Sequence, residues 1–247
     1  MIDEWSWNAT WTERVLRHGF VHLPADALLS GGIPDGQWRE FQELWRRLPP
    51  DEFMAAGQHG RFRRYGRVRL DCIQDGMELT VLPPAPFQQA AEIMPLHGGR
   101  RRTFAPISDE ILTSTVMHLA ITRAAMLAHS VTGKKCFHVG IHMIRVCAYG
   151  KDASIVTPEG MHRDGHDLVA MHLISRNGCE GGQSLIYGPD DCVTRLCLTD
   201  PGESIVLDDR RVQHEVEPVR ALNGSGHRDV LLLDFDEPGD APCLSWR

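Results

Sequence analysis

The sequence predicts a mainly β protein with flanking helices (α+β class), whose strands form an antiparallel sandwich or barrel. Residues 136–238 contain about seven short β-rich runs, separated by turn signals and with no helical pattern between them. Residues 1–135 show mostly helical periodicity and a single hairpin signal. No flexible linker is visible near residue 133, so one domain covering residues 1–247 is expected.

Helical periodicity covers most of residues 11–48 and is interrupted at residues 31–36. In its clearest part, apolar side chains recur every three or four residues before Pro49 and Pro50 end the pattern. These side chains are Trp38, Phe41, Leu44, Trp45 and Leu48. A second, longer helix is expected over residues 107–132, capped by Ser108 and ended by Gly133.

A hairpin is predicted for residues 66–82, with Asp75 and Gly76 at its turn. We therefore expect residues 1–135 to form a mostly helical support plus this hairpin, and residues 136–238 to form the β core. The runs expected to be core strands are CFHVGIHMIRVCAY, LVAMHLIS, GQSLIYG, CVTRLCLT, ESIVLDD, RRVQHEVEPV and RDVLLLDFDE.

The composition is that of an ordinary globular protein, with 42% hydrophobic and 24% charged residues. The net charge of −7 argues against a general nucleic-acid binder, which needs a clustered cationic face. Two basic runs, Arg61–Arg69 and Arg100–Arg102, are interpreted as solvated faces. No apolar run approaches the ~20 residues of a membrane span, so neither a nucleic acid nor a membrane is expected as a partner.

The seven cysteines include no pair with C-x-x-C spacing, so neither a zinc knuckle nor a thioredoxin-type motif is present. The N-terminus lacks the basic start and apolar stretch of a signal peptide. A reducing cytoplasm is the simplest location for free thiols.

The stretch PEGMHRDGHDLVAMH contains three histidines and two aspartates in fifteen positions. Its H-x-D triplet, His162 to Asp164, carries little weight alone, because chance gives about one such triplet in this composition. On a strand, however, residues i and i+2 share a face, so these two side chains could be neighbouring ligands of one metal ion. The alternative is a solvated loop.

His214 is the best candidate for a further ligand. In RRVQHEVEPV it alternates with polar residues and shares its face with Val212 and Val216, so it is expected to point inward. Two histidines and one carboxylate would leave positions open on Fe(II), as oxygen chemistry requires. The alternative is a histidine that only fills the core.

Arg228 begins the apolar run that ends the core. A buried guanidinium needs an anionic partner because an unpaired buried charge is costly. That partner is either a neighbouring acid, Asp229 or Asp234, or the carboxylate of a ligand held by the guanidinium fork.

These segments together resemble a known family. PEGMHRDGHDLVAMHLISRNGCEGGQSLIY, followed by HEVEPV and HRDVLLLDF, is similar to bacterial 2-oxoglutarate/Fe(II) dioxygenases of the L-isoleucine hydroxylase type, which hydroxylate free amino acids. The resemblance covers residues 137–236. Two positions depart from it: Glu215 stands where glycine often follows the distal histidine, and Val230 stands where related oxygenases often have Ser or Thr.

The resemblance implies a double-stranded β-helix (jelly-roll) core. It assigns His162, Asp164 and His214 to iron, and Arg228 to the distal carboxylate of 2-oxoglutarate. The implied reaction uses O2 to hydroxylate a small free L-amino acid, most simply one with an aliphatic side chain, and releases succinate and CO2. The presence of Asp164 disfavours halogenation, since related halogenases have a small residue there.

Two alternatives remain open at this point. The same oxygenase chemistry could act on a peptide or a biosynthetic intermediate. The chain could also be a non-enzymatic jelly-roll protein that binds a metal or a ligand.

Five further residues are candidates for contact with the substrate. Arg145 and Tyr149 share a strand face, and Arg145 could bind an amino-acid carboxylate or form a structural ion pair. His166 and Asp167 follow the H-x-D triplet and could support it by hydrogen bonds or belong to a solvated loop. Ser184 could line the pocket or only pair within the sheet.

Overall fold

The fold is built on one large sheet that separates a helical layer from two small sheets. The computed structural model describes residues 9–29, 33–54, 59–73, 76–93, 98–189 and 192–238. The helices are α1 (Ala9–His18), α2 (Ala25–Leu29), α3 (Asp35–Glu43), α4 (Asp109–Leu112) and α5 (Thr115–Thr132), and a 3-10 helix spans Leu44–Arg47. The strands are β1 (Phe20–Leu23), β2 (Arg61–Ile73), β3 (Gly76–Val81), β4 (Ala105–Pro106), β5 (Cys136–Tyr149), β6 (Ala153–Ser154), β7 (Leu168–Asn177), β8 (Cys179–Gly181), β9 (Ser184–Tyr187), β10 (Val193–Leu196), β11 (Ser204–Leu207), β12 (Gln213–Val216), β13 (Val219–Ala221) and β14 (Ser225–Asp236).

The large sheet has the strand order β1-β11-β7-β14-β5-β2-β3, with β4 beside β2. The small sheets have the orders β10-β9-β12 and β6-β13-β8. Apolar side chains of β7 and β11 pack against those of β9 and β12, so the large sheet and the first small sheet enclose one core. The prediction of a mainly β fold with a jelly-roll core and flanking helices is confirmed.

Alternation along β5 explains how one strand serves two layers. Phe137, Val139, Ile141 and Met143 lie in the cluster that also contains the buried side chains of α5. The residues between them face the interior of the jelly roll, because successive side chains of a strand point to opposite faces. The long strand therefore joins the helical layer to the cavity described below.

All seven predicted core strands are present, as β5, β7, β9, β10, β11, β12 and β14. The predicted hairpin is formed by β2 and β3, although Asp75 lies outside the described residues. The predicted apolar face of α3 is also correct, since Phe41, Trp45 and Leu48 are buried.

The long helix expected over residues 107–132 is divided in two. The break falls between α4 and α5, where the Ser114 hydroxyl accepts a hydrogen bond from the Met117 amide and so caps α5. Ser108 precedes α4 but forms no side-chain cap. The predicted end is correct: Gly133 adopts the left-handed conformation (φ 72°) that closes a helix.

Strand β1 was not predicted within the helical segment 11–48. It pairs with β11 over four residues, from Phe20 opposite Leu207 to Leu23 opposite Ser204. The run FVHL is too short for its own periodicity to be read, and the free edge of β11 decides its conformation.

Strand β2 places part of the N-terminal region in the large sheet. It pairs with β5 over eleven residues, from Arg61 opposite Val146 to Asp71 opposite Cys136. The N-terminal support therefore contributes strands as well as helices. No helix in the described part of the chain is long and apolar enough to span a membrane.

Candidate metal centre and its cavity

Three side chains from two separate segments converge on one point. The Nε2 atom of His162 lies 3.6 Å from Oδ1 of Asp164, and the Nε2 atom of His214 lies 3.4 Å from Oδ2 of the same carboxylate. One donor atom from each residue lies within 4.8 Å of the other two. Among the described residues, no other group of three His, Cys, Asp or Glu side chains meets this criterion.

The backbone brings the two histidines together. His162 and His214 form an isolated antiparallel bridge, in which each amide donates to the other's carbonyl at 3.0 and 2.8 Å. His214 lies on β12 and is buried between Val212 and Val216, as its alternation predicted.

Asp164 reaches the site from a loop, and the expected strand placement of the H-x-D triplet is wrong. The chain turns immediately after the triplet at Gly165, which has a φ of 92°. The Asp209 carboxylate holds this turn by accepting hydrogen bonds from the amides of Asp164, Gly165 and His166 at 3.1, 2.6 and 3.1 Å. A buried acid, rather than a strand ladder, therefore orients the aspartate.

Hydrogen bonds also set the orientation of His162. Its Nδ1–H donates to the Gly160 carbonyl at 2.7 Å, which leaves Nε2 directed towards Asp164. Burial lowers the pKa of His162, but its hydrogen bond to Asp164 and the charge of that carboxylate outweigh burial and raise the pKa to about 9. Burial opposes ionisation of Asp164, yet the two imidazoles lower its pKa well below the usual value. The carboxylate therefore favours a positive charge between these side chains, the electrostatic requirement of a cation site.

A cavity of about 100 Å³ opens from this cluster into the jelly roll. Its lining combines eight apolar side chains with twelve polar or charged ones, which include the three candidate ligands, Arg228 and three further arginines. The apolar lining consists largely of Ile144, Val146, Val156, Val216, Val230 and Leu232.

Arg228 is buried in the cavity wall without a carboxylate partner among the described residues. It is 1% exposed, and its recorded side-chain hydrogen bond runs from Nη2 to Sδ of Met171 at 3.2 Å. Its Nε atom is buried with no hydrogen-bond partner. Burial, followed by repulsion from Arg176, lowers the pKa of Arg228 to about 10.

Both acids considered as partners of Arg228 are engaged elsewhere. Asp229 accepts two hydrogen bonds of 2.7 Å from Arg145. Asp234 accepts a hydrogen bond of 2.7 Å from His142. The structure therefore removes the neighbouring-acid alternative and leaves an anionic ligand as the partner that would satisfy Arg228.

The glycine pair of β8 and the following loop makes room for this guanidinium. Gly181 and Gly182 have φ values of 76° and 67°, which only glycine adopts without strain. A Cβ on Gly182 would lie 3.0 Å from Cδ of Arg228. The pair thus forms a tight turn and lets the backbone pass close to Arg228.

All five candidate substrate contacts lie outside the cavity lining. Arg145 is in the ion pair with Asp229, because the two residues are directly opposite on β5 and β14. Tyr149 is 57% exposed at the end of β5. Asp167 pairs with Lys134 and Arg210, and Ser184 is buried in the small sheet.

His166 supports the site from outside the lining. Its Nδ1 atom lies 2.7 Å from Oδ2 of Asp236, and its Nε2 atom lies 3.6 Å from Oδ2 of Asp234. Burial lowers the pKa of His166, but these two carboxylates outweigh it and raise the pKa well above the usual value. The ring thus ties the loop that carries Asp164 to the end of β14.

The sequence interpretation missed a group of buried arginines. Arg61, Arg63 and Arg102 were assigned to solvated faces, but they are 8%, 7% and 3% exposed and line the cavity. Period-two alternation in RFRRYGRVR could have indicated that Arg61, Arg63 and Tyr65 share one strand face. Whether that face was inward depended on pairing with β5, which alternation alone does not show.

Comparison with known proteins agrees with this architecture. A curated 3(1)-hydroxy-L-isoleucine 4-dioxygenase from Pantoea ananatis is 28% identical over 240 residues, covering 90% of this chain and 93% of the relative. An L-isoleucine-4-hydroxylase from Bacillus thuringiensis is 28% identical over 144 residues, which span 56% of this chain and 60% of that relative. The solved structure of a bsmA homolog from Methylobium petroleophilum PM1 has a TM-score of 0.81 at 28% identity and covers 93% of this chain and 92% of that one.

The family model described as 2OG-Fe dioxygenase matches residues 42–234, which is most of the chain. This match removes the alternative of a non-enzymatic binding protein. The chain therefore belongs to the 2OG-Fe dioxygenase family and is an oxygenase that uses Fe(II), 2-oxoglutarate and O2.

Proposed function

We propose that this enzyme hydroxylates a small free L-amino acid with an aliphatic side chain, coupled to conversion of 2-oxoglutarate into succinate and CO2. The observation that carries the proposal is the unpaired, buried Arg228 in the same cavity as His162, Asp164 and His214. An anion-binding group and a cation-binding group then lie in the wall of one small cavity.

In this proposal His162, Asp164 and His214 hold the iron. The donor set fits, because two imidazole nitrogens and one carboxylate oxygen lie within 4.8 Å of one another. Two histidines and one carboxylate are the ligand set that leaves positions free on Fe(II) for oxygen chemistry. The hydrogen bond from His162 Nδ1 to Gly160 and the amides bound to Asp209 orient these ligands.

Arg228 binds the distal carboxylate of 2-oxoglutarate. A carboxylate would accept hydrogen bonds from the guanidinium fork and compensate the charge that now has no anionic partner. Val230 has no hydroxyl to add to this contact, so Arg228 carries a larger share of the recognition than in relatives with Ser or Thr at that position.

The substrate class is supported by the cavity walls and by the relatives. Both curated relatives named above act, by their names, on L-isoleucine or a hydroxylated L-isoleucine. The cavity lining includes the branched aliphatic side chains of Ile144, Val146, Val156, Val216, Val230 and Leu232. Such side chains favour a hydrocarbon group on the substrate.

Fe(II), when bound with 2-oxoglutarate and O2, supplies the oxidising power that hydroxylates a C–H bond. The protein contributes orientation and a dry environment. The aliphatic walls exclude water, and Arg228 fixes one co-substrate at a defined depth.

The test is to mix the purified protein with Fe(II), 2-oxoglutarate and each of the twenty proteinogenic amino acids, and to measure succinate and a product heavier by one oxygen. We expect substrate-stimulated succinate with one or more aliphatic amino acids. Slow succinate release that no amino acid stimulates would exclude a free amino acid and favour a peptide or a pathway intermediate.

A further inference from the structure

The end of the cavity formed by β2 carries an excess of buried positive charge. Arg61, Arg63 and Arg102 all line the cavity and are nearly buried. Arg61 is compensated, since its Nε donates to Asp51 at 2.8 Å. Neither Arg63 nor Arg102 has a carboxylate within ion-pair distance in the described parts of the chain.

Both of these arginines retain unused hydrogen-bond donors. Arg63 uses Nη2, which lies 2.7 Å from Nδ1 of His142. Arg102 uses Nη2, which donates to Oε1 of Gln89 at 2.6 Å. The Nε atoms of both are buried with no hydrogen-bond partner. Buried donors without partners are costly, and one anion bound between the two side chains would compensate their positive charges.

The two guanidinium groups are held in place by hydrogen-bond relays that end on Asp234 and Asp164. Nδ1 of His142 must accept from Arg63, because arginine is only a donor, so His142 donates from Nε2 to Asp234 at 2.7 Å. Gln89 donates through Nε2 to the Asp164 carbonyl at 3.0 Å while its Oε1 accepts from Arg102. The second relay therefore connects Arg102 to the candidate iron ligand.

Aromatic rings position the same arginines. The Arg63 guanidinium carbon lies 4.2 Å from the ring centre of Phe104, and that of Arg102 lies 4.9 Å from the ring centre of Phe87. Burial, followed by the charge of Arg102, lowers the pKa of Arg63 to about 9. The two cations thus repel each other at close range, and a shared anion would relieve that repulsion.

This site is separate from the one assigned to 2-oxoglutarate. Arg63 lies opposite Ile144 on β5, which in turn lies opposite Val230 on β14, the strand of Arg228. Strand β5 therefore lies between the strands of Arg63 and Arg228, so the backbones of these two strands are about 10 Å apart across the sheet. One small dicarboxylate held at the metal by Arg228 leaves Arg63 and Arg102 for a second anion.

We propose that Arg63 and Arg102 together bind the α-carboxylate of the amino-acid substrate. This inference rests on the proposed function. It replaces Arg145, whose guanidinium is engaged by Asp229, as the residue for this role. Glu159 also lines the cavity and interacts electrostatically with Arg102, so the lining offers both charges that a zwitterionic amino acid requires.

The test is isothermal titration calorimetry under argon on the full chain loaded with Mn(II) and 2-oxoglutarate, a redox-inactive form that binds without turnover. The ligands are the twenty amino acids and, as a charge-free probe, the carboxamide of the tightest binder. We compare wild type with Arg63→Met, Arg102→Met and Arg63→Lys. The matched controls are Arg64→Met and Arg101→Met, which change the sequence neighbours that lie outside this cavity lining.

We expect each Met variant to weaken amino-acid binding about 10- to 100-fold, as for a lost charge-assisted hydrogen bond, and Arg63→Lys to weaken it less. The carboxamide should bind wild type weakly, and its affinity for the variants should be only slightly lower than its affinity for wild type. Affinity for 2-oxoglutarate should remain within about 2-fold of wild type, which also shows that the variants are folded.

The other outcomes are distinct. Unchanged amino-acid affinity in both Met variants overturns this inference and leaves the proposed function standing. A loss of 2-oxoglutarate affinity in the Met variants reassigns these arginines to the co-substrate and overturns the inference as well. Wild type that binds 2-oxoglutarate but no amino acid overturns both the inference and the substrate class.

Discussion

His162 and His214 exchange two backbone hydrogen bonds, so the main chain brings their imidazoles together. Their ring centres are 4.5 Å apart. A site whose ligands are fixed by backbone pairing is preorganised, because little side-chain freedom is lost when an ion binds. The third candidate ligand, Asp164, is held by side chains instead, since its amide donates to Asp209 and its carbonyl accepts from Gln89.

Replacing Asp164 tests the metal site. Asp164→Ala removes the carboxylate but leaves the backbone contacts of its loop, so the fold should be retained and Fe(II) affinity should fall at least about 100-fold. Iron per chain after anaerobic loading, together with circular dichroism, measures both effects. Asp167→Ala is the control, since Asp167 lies outside the cavity lining and pairs with Lys134 and Arg210. Normal iron content in Asp164→Ala would remove Asp164 from the ligand set.

Arg228→Met should separate stability from function. The substitution removes a buried charge without a carboxylate partner, so the apo-protein should gain about 1–4 kcal/mol in free energy of unfolding. The same variant should lose 2-oxoglutarate affinity by at least about 10-fold. Urea unfolding and calorimetry measure the two quantities. A destabilised variant with full 2-oxoglutarate affinity would contradict both expectations.

Arg145→Met should have the opposite effect on stability. It leaves the fully buried Asp229 carboxylate without its bidentate partner, although Ser175 still donates to it at 2.6 Å. Breaking a buried pair from one side costs about 3–5 kcal/mol, so the free energy of unfolding should fall by roughly 3 kcal/mol. Amino-acid and 2-oxoglutarate affinities of the folded fraction should be unchanged. Loss of amino-acid binding without loss of stability would return Arg145 to the substrate site.

His172 should make the apo-protein sensitive to acid. Burial lowers its pKa to about 4, while the unfolded chain titrates near 6.5, so between these values the unfolded state binds more protons and stability falls as the pH decreases. Protonation of His172 in the unfolded chain alone should lower the free energy of unfolding by about 2 kcal/mol at pH 5, relative to pH 7.

The measurement is the free energy of unfolding from pH 7 to pH 4.5 in the presence of a chelator. In His172→Leu the free energy of unfolding should no longer show this loss of about 2 kcal/mol at pH 5. Leucine should be accommodated, because the surroundings of His172 include Leu23, Leu127 and Val206. His59→Leu, at an exposed position, is the control and should leave the slope as in wild type. Identical slopes for His172→Leu and wild type would show that His172 is not buried in its neutral form.

Local patterns in the sequence were sufficient for the core strands and for the inward direction of His214. Short β-rich runs bounded by turn signals are a local property, and in residues 136–238 they placed seven of the ten strands, while the short strands β6, β8 and β13 were not predicted. The burial of Arg228 was also predictable, since it begins an apolar run and is 1% exposed.

Only the tertiary structure decided which charges find partners. Arg145 and Asp229 pair because β5 and β14 place them directly opposite each other, a register that alternation does not determine. Arg63 is buried rather than solvated for the same reason, since its inward face exists only through pairing with β5. Local periodicity tells which side chains share a face, but the partner of a buried charge depends on strand order and register, which are set by contacts between distant segments.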